Sequence, residues 1–222
     1  MSLLETVEIA TGDHPEAAVI WMHGLGADGN DFVPIVRELD LSECPAIRFV
    51  FPHAETMPVT INNGYVMRAW YDILGMDLVR REDEIGLRKS QGQVEQLIAR
   101  EIERGIPSER IILAGFSQGC AMTLQTGLRY PKKLAGMLCL SGYLPLADKL
   151  PEECNDANRS TPIFMAHGRV DPVVQIARAE TSRDFLKGLG YAIEWKDYSM
   201  PHSVCEEEID DIGHVITRWL SA

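Results

Sequence analysis

Short apolar runs separated by amphipathic segments constrain this chain more than any other feature. The runs occupy residues 17–22, 47–51, 111–116, 134–140, 163–166 and 191–195. Several are nearly unbroken rather than alternating, as strands buried on both faces are. Between them, residues 87–104 place Leu87, Val94, Leu97, Ile98 and Ile102 along one helical face. Residues 118–129 do the same with Ala121, Leu124, Gln125 and Leu128, and Tyr130-Pro131 ends that helix. A last helix from about Ser203 carries Ile209, Ile212, Ile216 and Trp219 at helical spacing. Strand–helix alternation over the whole length predicts an α/β fold: a mostly parallel central sheet with helices on both faces. No composition shift marks a linker, so residues 1–222 read as a single domain. No repeat of about 20–50 residues recurs, which excludes solenoids and propellers.

Composition narrows the function classes. The 33 acidic residues exceed the 21 basic ones, for a net charge of -12. Such a surface repels phosphate backbones and disfavours tight docking to anionic lipid through charge alone, so nucleic acid is not expected as a partner, and stable membrane insertion is not expected either. No run approaches the roughly 20 apolar residues of a membrane span. Residues 1–8 carry no basic segment followed by an apolar one, so no secretory signal is expected. The five cysteines, at 44, 120, 139, 154 and 205, have no regular spacing, and reduced thiols in a cytoplasmic protein are the simplest reading.

Residues 52–84 break the rhythm. A stretch that long without a clear core element is either functional or disordered. Its Met57, Val59, Ile61, Tyr65, Met67, Trp70, Tyr71, Ile73, Leu74 and Met76 argue against disorder. It reads either as a packed excursion with a short strand or as the wall of an apolar pocket. In the second case Met67, Trp70, Ile73 and Leu74 are the substrate-binding candidates.

Gly115-Phe116-Ser117-Gln118-Gly119 joins an apolar strand to a helix. A nucleophile on so tight a turn needs a strained backbone, and only small side chains fit two residues either side. The turn also aims N–H groups at a helix N-terminus toward developing negative charge. Ser117 is therefore the candidate nucleophile, and it needs a base. The motif's chain order is serine, acid, histidine, and only His167, His202 and His214 follow Ser117. His214 falls within the last helix, about 18 Å along its axis from residue 202. His167 ends a strand, where packing explains it. His202 stands in the loop between the last strand and last helix, at the carboxyl edge of the sheet, and is the candidate base. Asp171, on the loop after the preceding strand, is the candidate acid. Followed by Pro172, it is equally a helix N-cap candidate. Asp184 and Asp197 compete but lack the loop position.

The first buried run ends in His23-Gly24-Leu25-Gly26-Ala27-Asp28-Gly29. The glycines match the dinucleotide fingerprint, which would make the chain an oxidoreductase. Asp28 and Asp31 would repel a pyrophosphate there, and the serine site would be left without a use. In a hydrolase the same glycines free the Leu25 N–H to face an oxyanion beside the Gln118 N–H, with His23 bracing the loop. No metal spacing is present, and no cofactor is expected. A hydrolase-fold binding module without activity is a further alternative. A dienelactone-type hydrolase would want cysteine at position 117.

Together these blocks resemble the carboxylesterase / acyl-protein thioesterase / lysophospholipase family of small α/β-hydrolases. The likeness extends over nearly the whole chain. It rests on the loop 23–29, on Asn62-Asn63-Gly64 through Met67-Arg68-Ala69-Trp70-Tyr71-Asp72, on the 115–119 turn, on His167-Gly168 through Asp171-Pro172, and on His202. Cys120 and Glu55 depart from the family pattern. The resemblance implies the α/β-hydrolase fold and an esterase acting on small-molecule or lipid-like acyl esters or thioesters. It also implies an acyl chain lying along 52–84, and a homodimer.

Overall fold

A computed structural model describes residues 3–75 and 82–221; Met76 lies outside them. The seven-stranded main sheet has the order β1-β3-β2-β6-β7-β8-β9. Its strands are β1 (Thr6–Ala10), β2 (Ala17–Met22), β3 (Ile47–Pro52), β6 (Ile111–Phe116), β7 (Gly136–Leu140), β8 (Ile163–Gly168) and β9 (Ile193–Tyr198). All neighbours pair parallel except β1 with β3. A two-stranded antiparallel hairpin, β4 (Thr56–Val59) and β5 (Tyr65–Arg68), stands apart within the 52–84 excursion.

The expected central strands are there because their residues feed two cores. In β2, Ala18, Ile20 and Met22 point into one cluster while Ala17, Val19 and Trp21 point into another. The first cluster packs α1 (Glu84–Glu103) through Leu87, Val94, Leu97 and Ile98. The second packs α5 (Glu206–Leu220) through Ile212, Val215 and Ile216. Helices therefore cover both faces, as the unbroken runs require. α2 (Gln118–Gly127) is buried along its whole length behind β6 and β7. A short α3 (Leu150–Glu153) and α4 (Ile176–Gly188) complete the set.

Several boundaries differ from the sequence reading, each for a local reason. α1 begins at Glu84 because the Asp83 carboxylate accepts from the Gly86 N–H at 2.9 Å. α5 begins only at Glu206, where the exposed Glu206 and Glu207 place negative charge at the positive end of the helix. The glycine-rich loop after β2 is followed by a short 3-10 turn, Val33–Arg37, and not by an α-helix. A dinucleotide site of the fingerprint type would lack the helix N-terminus that holds a pyrophosphate. Among the described residues, no helix is long and apolar enough to cross a membrane.

Candidate active site

β6, β8 and β9 each end in a loop at the same edge of the sheet, and those loops carry Ser117, Asp171 and His202. Ser117 sits between β6 and α2 with φ 57° and ψ -114°, outside the ordinary helical and extended regions. Two bonds hold that backbone: the Ser117 N–H donates to the Leu140 carbonyl at 2.9 Å, and its carbonyl accepts from the Ala121 N–H at 3.2 Å. The flanking glycines are needed by contact. A Cβ on Gly115 would lie 2.2 Å from the Gly119 backbone, and one on Gly119 would lie 2.0 Å from the Met22 carbonyl oxygen.

The three side chains meet in a row. The Ser117 hydroxyl lies 3.0 Å from His202 Nε2, and His202 Nδ1 lies 2.6 Å from Asp171 Oδ2. With Nδ1–H donating to the carboxylate, Nε2 is left to accept the serine proton. Ser117 is half-buried while Asp171 is only 6% exposed. Phe116 packs its ring against the His202 imidazole, with centroids 4.7 Å apart.

Asp171 serves two purposes at once. Oδ1 accepts from the Val173 and Val174 N–H groups at 2.8 and 2.9 Å, closing the turn as a cap would, while Oδ2 holds His202. Pro172 lies in that turn, ahead of α4, and not in the first turn of the helix. The acid and base loops are laced together. Val170 N–H donates to the Met200 carbonyl at 3.3 Å, Arg169 N–H donates to Tyr198 at 2.8 Å, and Gly168 leaves no room for a Cβ beside Met200.

The competing residues do not reach Ser117, although His167 Nε2 lies 3.4 Å from Asp171 Oδ2. His167 is buried and donates from Nε2 to the Val174 carbonyl at 2.7 Å, and burial holds its pKa below the usual histidine range. His214 is exposed on α5. Asp184 pairs with Arg183 at 2.8 Å and Asp197 with Arg169 at 2.7 Å.

The glycine-rich loop abuts the nucleophile: a Cβ on Gly24 would stand 3.4 Å from Ser117 Cβ. Among the described residues, no carbonyl or side chain takes the N–H of Leu25 or of Gln118. His23 braces this loop. Its Nδ1–H donates to the Gly24 carbonyl at 2.7 Å, and its Nε2 accepts from the Ala54 N–H at 3.1 Å. That pattern needs a neutral ring, and burial pushes the His23 pKa down to about 4.

The four expected pocket residues divide. Met67 and Ile73 are half-buried and Leu74 is 43% exposed. Met67 underlies the glycine loop, its sulfur 3.5 Å from where a Cβ on Gly26 would be. Trp70 is 2% exposed and offers little surface to a ligand. Instead its Nε1–H donates to the His23 carbonyl at 2.9 Å and its backbone N–H donates to Gln118 Oε1 at 3.1 Å. Gln118 Nε2 returns a bond to the Tyr71 carbonyl at 2.9 Å. This bracing by the Gln118 side chain was not legible from spacing, since it joins segments 48 residues apart.

Residues 4–220 match the phospholipase/carboxylesterase family. Acyl-protein thioesterase 1 of Neurospora crassa is 43% identical over 213 residues, covering 92% of this chain and 87% of the relative. Among solved structures, Arabidopsis thaliana SOBER1 has a TM-score of 0.87 at 34% identity, covering 92% of this chain and 99% of its own. Zea mays acyl-protein thioesterase 2 has a TM-score of 0.87 at 27% identity, covering 97% and 99%. The chain belongs to the phospholipase/carboxylesterase family and has the α/β-hydrolase fold.

Proposed function

We propose that this chain is a serine hydrolase that cleaves acyl esters through a covalent acyl-enzyme. Ser117 Oγ attacks the acyl carbonyl while His202 Nε2 takes its proton. His202 then delivers that proton to the departing alcohol or thiol. Asp171 fixes the tautomer and stabilises the imidazolium. The N–H groups of Leu25 and Gln118 face the oxyanion, and loss of one such donor costs about 10²–10³ in rate. Water, activated by the same histidine, releases the acid and restores Ser117. No step calls on a cofactor.

The observation that carries this reading is the unbroken row from the Ser117 hydroxyl through His202 to Asp171, at 3.0 and 2.6 Å. Fluorophosphonate labelling followed by peptide mapping tests it. The label is expected on Ser117, and Ser117→Ala is expected to abolish hydrolysis of a chromogenic short acyl ester. A label on Cys120, or no label, would overturn the assignment.

Thioester cleavage as the main activity is favoured by one observation, the 43% identity to a protein named acyl-protein thioesterase 1. An acyl-length series on matched oxygen and sulfur esters separates the two. An apolar wall distinguishes only about 1–3 kcal/mol per methylene, so overlapping activities are expected. The same reading treats residues 1–222 as one domain of a cytoplasmic homodimer, and light scattering of the purified chain checks the dimer.

A further inference from the structure

Arg178 lies in the first turn of α4 with its guanidinium against the Tyr143 ring, 3.1 Å from the centroid. Stacking satisfies the face of a guanidinium and leaves its N–H edge to be paired. Here Nε and Nη2 are buried and have no hydrogen-bond partner among the described residues. Buried donors of a cation are costly to leave unmade, and their persistence calls for a partner.

The pair adjoins segments that pack on the elbow and on the Asp171 turn. Gly142, next to Tyr143, is pressed so near the elbow that a Cβ on it would lie 2.8 Å from the Ser117 carbonyl oxygen. The Tyr143 hydroxyl is 2.6 Å from that of Tyr71, which follows Trp70 in the expected acyl wall. Tyr71, Tyr143, Leu146 and Val174 share one apolar cluster, against which Ile73 packs. Val174, four residues before Arg178, donates its N–H to Asp171. The helix is fixed in this register because Ser182 Oγ accepts from the Leu144 N–H at 3.0 Å and donates to the Arg178 carbonyl at 3.0 Å.

We propose that Arg178 closes the acyl site with an anion-binding end, so that the enzyme takes acyl groups bearing a terminal carboxylate. An apolar wall recognises the methylenes, and the guanidinium edge pairs with the carboxylate in surroundings where charge is weakly screened. The proposal rests on the ester-hydrolase reading above and adds its substrate class.

The test compares mono-4-nitrophenyl glutarate, adipate and suberate with 4-nitrophenyl esters of neutral acids of equal carbon number. The readout is the ratio of kcat/KM, carboxylated over neutral. At the best length, Arg178→Met should lower that ratio about tenfold to a hundredfold, the scale of one charge-assisted hydrogen bond. Arg178→Lys should restore part of it. An unchanged ratio at every length overturns the proposal. Calorimetric titration of monomethyl adipate into the Ser117→Ala protein reads binding without turnover, so it decides the site even where the hydrolase reading fails. Binding that Arg178→Met removes supports the site, and equal or absent binding in both proteins rejects it.

Discussion

The side chain of Gln118 is tied to the backbone at Trp70: the Trp70 N–H donates to Oε1 at 3.1 Å while Nε2 donates to the next carbonyl at 2.9 Å. Trp70 in turn reaches the His23 carbonyl through its indole N–H. One residue thus spans the glycine loop and the elbow, the two segments whose N–H groups are proposed to meet the oxyanion. Gln118→Leu leaves the backbone N–H of residue 118 in place but strands a donor and an acceptor, each costing about 1–3 kcal/mol. The expected result is a fall in kcat of about tenfold or more with KM little changed, since the donors act mainly in the transition state. Gln118→Glu keeps one of the two bonds and should fall between. Equal loss of kcat and stability in Gln118→Glu and Gln118→Leu would reduce the contact to packing.

His23 gives a stability prediction with a defined sign. Its folded pKa is about 4, against about 6.5 unfolded, so the unfolded chain binds the extra proton between those values. The neutral ring's contribution is present above pH 6.5 and is lost as pH falls toward 4, amounting to about 3 kcal/mol. Urea midpoints of the wild type and a His23 variant, compared across that window, read this contribution. The His23→Asn protein should be less stable at pH 7, and its deficit should shrink at pH 4.5. A deficit independent of pH would show that the ring does not titrate as described.

How much of this was readable beforehand follows from where each residue gets its constraint. β2, β6 and β8 were legible because burial on both faces forces unbroken apolar sequence. β1 was not: Thr6–Ala10 is an antiparallel edge strand, half exposed, with a pattern too short to stand out. The β4–β5 hairpin had one overlooked signal, Asn63-Gly64, which take φ 55° and 75° in its turn. The convergence of Ser117, Asp171 and His202 was legible because the Gly-x-Ser-x-Gly motif prescribes chain order and loop position for a serine, an acid and a histidine. Trp70 was expected in a pocket wall, since its indole reads as apolar surface in sequence. Its burial and two hydrogen bonds depend on His23 and Gln118, which are distant in the chain. Arg178 carried no motif at all.

Gly119 should be intolerant of even one methyl. A Cβ there meets the Met22 carbonyl at 2.0 Å and the His23 carbonyl at 2.9 Å, so α2 would have to move away from the end of β2. Met22 and His23 lead into the glycine loop, so that shift would separate Leu25 from Gln118. Gly119→Ala is expected to yield little folded protein, and any that folds should react with fluorophosphonate at least tenfold more slowly, given about 10²–10³ per lost oxyanion donor. Wild-type labelling rates would reject the tight contact between loop and elbow.

Glu208 titrates in the opposite sense to His23. It is fully buried in the first turn of α5, and neither carboxyl oxygen has a hydrogen-bond partner in good geometry among the described residues. Burial pushes its pKa up to about 8; the Asp211 carboxylate adds to the rise and the Cys205 N–H opposes it. Asp211 is held in place by the Tyr198 hydroxyl at 2.7 Å and by Lys196 at 3.1 Å. The folded chain keeps the Glu208 proton that the unfolded chain releases near 4.5, so stability is full below that pH and is lost as pH rises through 8, by roughly 5 kcal/mol. Between about 4.5 and 6.5 the gain from His23 and the loss from Glu208 run in opposite directions and nearly cancel. The wild-type profile therefore conceals both groups, and only variants separate them. Glu208→Gln should match the wild type near pH 4.5, exceed it in Tm progressively from about pH 5 to 8, and keep a constant lead above that. A Tm difference that stays constant from pH 5 to 9 would mean that Glu208 is already ionised in the folded chain.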